Sequence, residues 1–65
     1  MTLRDAISVI DRNDIQLLDS HEEEICLIRN GYGGIICNEY LDTEVLDIWC
    51  DEDIPDTIIV KIRIS

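Results

Sequence analysis

Hydrophobic residues near the start of the chain recur with the period of an amphipathic helix. The apolar stripe, spaced i, i+3, i+4 and i+7, consists of Leu3, Ala6, Ile7 and Ile10. Thr2 precedes this stripe and Asp5 follows it by three positions, which is the arrangement of a capping box. The polar residues at 11–14 predict the helix end and a turn, with Asn13 as a left-handed cap.

The rest of the chain alternates between apolar and polar positions, which predicts β-strands. Residues 15–19 and 24–29 flank a polar turn at 20–23 and form one hairpin. Residues 44–51 and 57–64 form a second hairpin, because Pro55 in the connection cannot continue a strand ladder. Between the hairpins we predict a glycine turn at 30–34, a short extended piece at 35–37 and one helical turn from Asn38.

One register makes every cross-strand pair of the second hairpin compatible. The predicted pairs are Cys50 with Ile58, Ile48 with Val60 and Leu46 with Ile62 on the inner face, and Asp47 with Lys61 and Trp49 with Ile59 on the outer face. The prediction for residues 1–65 is therefore a single α+β domain, in which the N-terminal helix packs on an antiparallel sheet of about four strands.

The charge of the chain indicates more about its function than any sequence motif does. The chain has 15 acids against 5 bases and a formal net charge of −10. Residues 31–56 contain no base, and their acids are Glu39, Asp42, Glu44, Asp47, Asp51, Glu52, Asp53 and Asp56. Such a field repels DNA and anionic membranes and attracts cationic surfaces. It also keeps an apolar small protein soluble, so charge alone leaves both interpretations open.

A chain of 65 residues has room for one thin core, which favours self-association. Val45, Trp49 and Ile59 share the predicted outer face and are the expected homo-oligomer interface. The strand at the C-terminus offers a further edge for pairing across a two-fold axis. The three cysteines, Cys26, Cys37 and Cys50, form no C-x-x-C pair, so we expect reduced thiols without zinc in a cytoplasmic protein.

Candidate catalytic chemistry is sparse. The glycines at 31–34 match no phosphate-binding fingerprint, and His21 beside three glutamates is typical of a solvated turn. Asp11 and Asp14, at the junction of helix and strand, are the alternative candidates for holding a metal in phosphodiester chemistry. Turns and helix ends use aspartate in any case, so the sequence favours a protein without catalytic residues, metal or cofactor.

Two stretches carry a resemblance to a known group of proteins. The opening Met-Thr-Leu-Arg-Asp-Ala-Ile at 1–7 and the run Tyr-Leu-Asp-Thr-Glu-Val at 40–45 resemble very small acidic proteins encoded by phages and mobile elements of gut Firmicutes. Those proteins open M-T-[LV]-K-E-L-[LI] and carry L-D-x-E-V before the penultimate strand, whereas this chain has Arg4 in place of the usual Lys. The resemblance implies a phage protein, and some phage proteins of this kind are anti-CRISPR inhibitors. It carries over no catalytic residue.

Two hypotheses follow, with a third kept open. The first is an anti-CRISPR-like inhibitor, without enzymatic activity, that binds a basic surface of a nucleic-acid enzyme such as a CRISPR nuclease in the bacterial host cytoplasm. Its contact residues are the acidic surface, defined as Asp47, Asp51, Glu52, Asp53 and Asp56. The second is a DNA-acting protein with metal-dependent nicking activity that uses Asp11 and Asp14. The third is an accessory module without inhibitory activity.

Overall fold

The first residues of the chain form the predicted helix and its cap. In the computed structural model, which describes residues 1–10, 12–28 and 38–64, helix α1 spans Leu3–Val9. The Thr2 hydroxyl accepts a hydrogen bond from the Asp5 N–H (3.3 Å), and the Asp5 carboxylate accepts one from the Thr2 N–H (3.1 Å). The capping box is therefore confirmed. Ile10 ends the helix in an extended conformation, and Asn13 has no positive φ, so the predicted left-handed cap at Asn13 is wrong.

The strands of the described residues form one mixed sheet. They are β1 (Asp14–Leu18), β2 (Glu24–Ile28), β3 (Val45–Asp51) and β4 (Ile54–Ile62), in the order β2-β1-β4-β3. The two predicted hairpins, β1–β2 and β3–β4, are antiparallel, while β1 and β4 pair in parallel at the centre. The α+β class with one helix and four strands is confirmed. The parallel central pair differs from the antiparallel arrangement that we expected throughout.

The central position of β4 follows from its composition. Its second half is rich in β-branched residues that are buried, including Val60 and Ile62, as expected for a strand with neighbours on both sides. Residues 58–61 of β4 pair with β1 on one side and with β3 on the other, so this stretch has no free edge within one copy. Two-fold pairing through the C-terminal strand stays a prediction.

The core lies between α1 and one face of the sheet. Leu3 and Ile7 of the helix pack with Leu17 of β1 and Val60 of β4, as the helical stripe and the strand alternation predict. Among the described residues, the cluster of buried side chains is Leu3, Ala6, Ile7, Ile10, Ile15, Leu17, Ile28, Val60 and Ile62. We call the face that packs against α1 the inner face and the opposite one the outer face.

Residues 38–44, which precede β3, lie beside the start of the helix. The predicted helical turn is present as a 3₁₀ turn at Asn38–Tyr40. The Arg4 N–H donates to the Leu41 carbonyl (2.8 Å), and the Val45 N–H donates to the Met1 carbonyl (2.8 Å). These bonds tie the start of the helix to the start of β3. The turn predicted at 30–34 and the extended piece predicted at 35–37 lie outside the described residues.

Two irregularities modify the predicted register of the β3–β4 hairpin. Four of the predicted pairs are present, namely Asp47 with Lys61, Ile48 with Val60, Trp49 with Ile59 and Cys50 with Ile58. A bulge between Val45 and Asp47 places Val45, and not Leu46, opposite Ile62. The register shifts a second time after Cys50, and this shift leaves a stretch of β4 without a partner in β3. Pro55 lies in that stretch. This explains why β4 begins at Ile54 despite the proline.

Candidate binding surface

The predicted contact acids cluster at the β3–β4 hairpin. Asp51 ends β3, and Glu52 and Asp53 form the turn that leads to Ile54. The Asp51 carboxylate accepts a hydrogen bond from the Asp53 N–H (2.9 Å), which fixes the turn without using the side chains of Glu52 or Asp53. Those two side chains are exposed, so the hairpin turn presents carboxylates to solvent.

Asp47 and Asp56 extend the acidic surface away from the turn. Asp47 lies on β3 opposite Lys61, but the Lys61 ammonium is 3.4 Å from a carboxylate oxygen of Glu22. The Asp47 carboxylate instead accepts a hydrogen bond from the Ile48 N–H at 2.9 Å. Asp56 is exposed, and its backbone carbonyl accepts a bond from the Asn13 side chain at 3.5 Å. Within the described ranges, no cation forms an ion pair with either carboxylate.

The bases of the described residues that form ion pairs are engaged elsewhere. Arg4 lies 3.3 Å from Asp42, Arg63 lies 3.4 Å from Glu44, and Lys61 is held by Glu22. The contacts of Arg4 and Arg63 are largely exposed to solvent and contribute little to stability, whereas the Lys61 side chain is only 22% exposed. Their significance is positional, because none of these bases forms an ion pair with a member of the acidic surface in the part of the chain that the structure describes.

The predicted oligomer interface does not form one exposed apolar patch. The bulge turns Val45 to the inner face, where it packs against the core. Ile59 lies on the outer face as predicted, but it is only 5% exposed within a single copy. Trp49, opposite Ile59, is half-buried and is the member of the predicted set with solvent-facing area on the outer face. The interface function of these residues stays a prediction.

The structure describes one of the two alternative metal-binding residues. Asp14 is half-buried at the start of β1, opposite Thr57, whereas Asp11 lies outside the described residues. His21 is exposed in the β1–β2 turn, as predicted. In residues 1–10, 12–28 and 38–64, no group of three or more His, Cys, Asp or Glu side chains could hold a metal ion.

The β1–β2 turn is built around Asp19. Its carboxylate accepts hydrogen bonds from the N–H groups of His21 (2.8 Å) and Glu23 (3.0 Å). This arrangement holds Glu22 at φ 65°, a left-handed conformation that is unfavourable for a non-glycine residue. Asp19 therefore has a structural function, and the charges of this turn lie at the end of the sheet opposite the β3–β4 turn, since β1 ends beside Lys61.

The sequence did not predict the free edge of the sheet. Strands β2 and β3 are the two outermost strands of the described sheet, and the inner-face residues Ile48 and Cys50 of β3 are exposed, Ile48 by 40%. We call the stretch from Leu46 to Asp51 the open edge, because Met1 and Thr2 already pair with the residues that precede it. Alternation alone places Ile48 and Cys50 inside and gives no strand order, so no signal in the pattern identified this edge.

Comparison of this chain with protein families, with curated proteins and with solved structures found no match. The resemblance to small acidic phage proteins therefore stays a prediction. No helix of the described residues is long and apolar enough to span a bilayer.

Proposed function

We propose that this chain is an acidic binding protein that occupies a basic, nucleic-acid-binding surface of another protein. In its specific form, the proposal is a phage-type inhibitor of an enzyme such as a CRISPR nuclease. The observation that supports it is the acidic surface, whose five carboxylates have no cationic partner among the described residues. Asp42, Glu44 and Glu22, by contrast, each form an ion pair with a base.

The spacing of the acidic surface suits a site that normally binds a phosphate backbone. Asp47 and Asp51 lie four residues apart on β3, which is about 13.6 Å at the antiparallel rise of about 3.4 Å per residue, and Trp49 lies between them on the same face. A duplex carries one charge per about 1.7 Å of axis, and its binding proteins present arrays of Arg and Lys. The turn acids Glu52 and Asp53 add charge at the end of the same hairpin. A cluster of carboxylates at one hairpin competes for such a site by charge alone and needs no catalytic residue.

Self-association is a separate part of the proposal. A thin core favours it, and each added copy would multiply the acidic surface presented to an extended basic channel. The proposal places the protein in the reducing cytoplasm of a bacterial host, where an exposed thiol such as that of Cys50 stays reduced.

Affinity capture from a lysate of a CRISPR-bearing bacterium tests the proposal. With the protein immobilised, we expect a basic nucleic-acid-binding protein to be retained at about 0.1 M NaCl and released by about 0.5 M, because salt screens contacts between exposed charges. The same preparation is incubated with supercoiled plasmid and Mg²⁺. Nicking that EDTA abolishes and that Asp14→Ala removes would contradict the binding proposal and support the DNA-acting alternative.

A further inference from the structure

We propose that the open edge of β3 binds its partner by strand addition, and that the added strand alternates basic with apolar residues. This inference rests on the proposed function and specifies how the partner is recognised. The sheet ends at β3, and beyond Val45 no strand of the described residues lies along its outer side. An unpaired strand edge presents N–H and C=O groups that another chain can complete.

The direction of the free backbone groups follows from the bond between Val45 and Met1. The Val45 N–H points away from β4, because it donates to the Met1 carbonyl. Residues that share a side-chain face along an antiparallel strand also share the direction of their N–H and C=O groups. Ile48 and Cys50 lie opposite Val60 and Ile58 on the inner face, which is the face of Val45. Their backbone groups therefore point outward, available to an added strand.

The bond within the Asp47–Ile48 pair supports this geometry. The Ile48 N–H donates to the Asp47 carboxylate (2.9 Å), so a side chain temporarily satisfies the outward donor. A lysine or arginine on the added strand, opposite Asp47, would draw the carboxylate to itself. The Ile48 N–H would then be available for a backbone carbonyl of the partner. Charge recognition and strand pairing are coupled at this position.

The two faces of the open edge specify the partner sequence. Asp47, Trp49 and Asp51 share the outer face, so added residues on that side meet two carboxylates and an indole, which suit Lys and Arg. Ile48 and Cys50 on the inner face are exposed and suit apolar neighbours. The open edge begins at Leu46, because Met1 and Thr2 already pair with the residues before it. The six residues from Leu46 to Asp51 can therefore pair with an added strand of about 20 Å.

Charge distinguishes this partner from a second copy of the chain. Two copies would each bring a net charge of −10 to the contact, and antiparallel pairing centred on Trp49 would set Asp47 of each copy against Asp51 of the other. Like charges directly opposite destabilise strand pairs, whereas a basic strand gains from every such position. The charge of the edge therefore favours a cationic partner.

The test uses the complete protein and three synthetic peptides of equal length. One alternates Lys with Val, the second alternates Lys with Ser, and the third alternates Glu with Val. We expect only the Lys-Val peptide to slow amide exchange at Ile48 and Cys50 in NMR spectra. Equal binding of the Lys-Ser peptide would show charge attraction without strand pairing and would overturn the inference.

Two variants at the same position separate backbone pairing from side-chain contact. Ile48→Pro removes the outward N–H at an edge, where proline is tolerated, and should weaken peptide binding at least tenfold. Ile48→Thr keeps the N–H and should weaken it less than threefold. NMR spectra of both free variants confirm that β3 and β4 still pair. Equal losses in the two variants would overturn the inference, as would an unaffected Ile48→Pro variant.

The partner captured from lysate distinguishes this inference from the proposed function. If Ile48→Pro still retains that partner, strand addition is refuted, but the proposal of an acidic binding protein is not. If no basic partner is captured, both the strand addition and the proposed function are refuted. Light scattering compares the oligomeric state of the wild type with that of the Ile48→Pro variant. A wild-type dimer that Ile48→Pro converts to a monomer would assign the open edge to a second copy and overturn the inference.

Discussion

The sequence predicts that Ile59 lies at an interface between copies, but the structure buries this residue within one copy. This difference leads to a quantitative prediction. Ile59→Ala removes three carbons from a side chain that is 5% exposed. At about 0.8 kcal/mol per buried CH₂, the loss is about 2.4 kcal/mol, and the remaining cavity raises it to about 3 kcal/mol. For a domain of this size, each kcal/mol lowers the Tm by about 4–8 °C, so we expect a decrease of about 12–24 °C.

Thermal unfolding followed by circular dichroism measures this change at about 10 and about 100 µM protein. The loss should be the same at both concentrations, because the contacts of Ile59 are made within one chain. Ile59→Val, which removes one carbon, should lose about 1 kcal/mol and guards against complete unfolding of the alanine variant. Ile54→Ala is the matched control on the same strand, because Ile54 is 40% exposed and should lose clearly less. A loss that grows with protein concentration would refute this reasoning, because association stabilises an interface contact more at high concentration, and it would assign Ile59 to an interface between copies.

Three further predictions concern other parts of the molecule. Asp19→Ala should destabilise the fold by about 1–2 kcal/mol in urea unfolding, because two backbone donors lose their carboxylate acceptor, whereas Asp19→Asn should retain most of the stability. The hydrogen bond from the Thr2 backbone N–H holds the pKa of the Asp5 carboxyl below its ordinary value of 3.8. The stabilisation by Asp5 is therefore complete above this value and is lost as the pH falls through the lower folded-state pKa, so Asp5→Asn should flatten the acid limb of a pH–stability curve. Thiol labelling of the unfolded protein should find all three cysteines reactive, and a single reactive thiol would contradict the prediction of a reduced protein.

Local patterns predicted the elements of this fold well. The helical stripe at the N-terminus and the Thr2 cap specify α1, because both depend only on spacing within a few residues. The hairpin register was correct from Asp47 to Cys50, because alternation on both strands leaves one arrangement in which every pair is compatible. The error at Leu46 has a simple cause. A bulge adds one residue to one strand, and nothing in the hydrophobic alternation marks where that residue is added.

The order of the strands could not be derived from the pattern. Hairpin pairing is local, but the parallel pairing of β1 with β4 joins residues that are distant in the sequence. Both hairpins would have similar alternation in an entirely antiparallel sheet. The position of β3 at the edge, and with it the exposure of Ile48, depends on the long-range pairing of β1 with β4.

The candidate site was predicted by charge and refined by structure. Composition identified the acids of the β3–β4 hairpin, and the exposed positions of Glu52 and Asp53 agree with a surface available to a partner. Lys61 lies opposite Asp47 as predicted, but its ammonium contacts Glu22, and no ion pair with Asp47 forms among the described residues. Distances between side chains of separate strands decide such pairings, and sequence spacing does not determine them.

The central claim is that the acidic surface of the β3–β4 hairpin, and not net charge alone, binds the partner. Two double variants with the same change in charge test it most directly: Glu52→Lys with Asp53→Lys at one end of the sheet, and Glu23→Lys with Glu24→Lys at the other. Each is compared with the wild type for its affinity toward the captured partner at one ionic strength, after circular dichroism confirms folding. The claim predicts that the first double variant loses affinity at least tenfold and that the second loses less than threefold. Equal losses in the two double variants would contradict it.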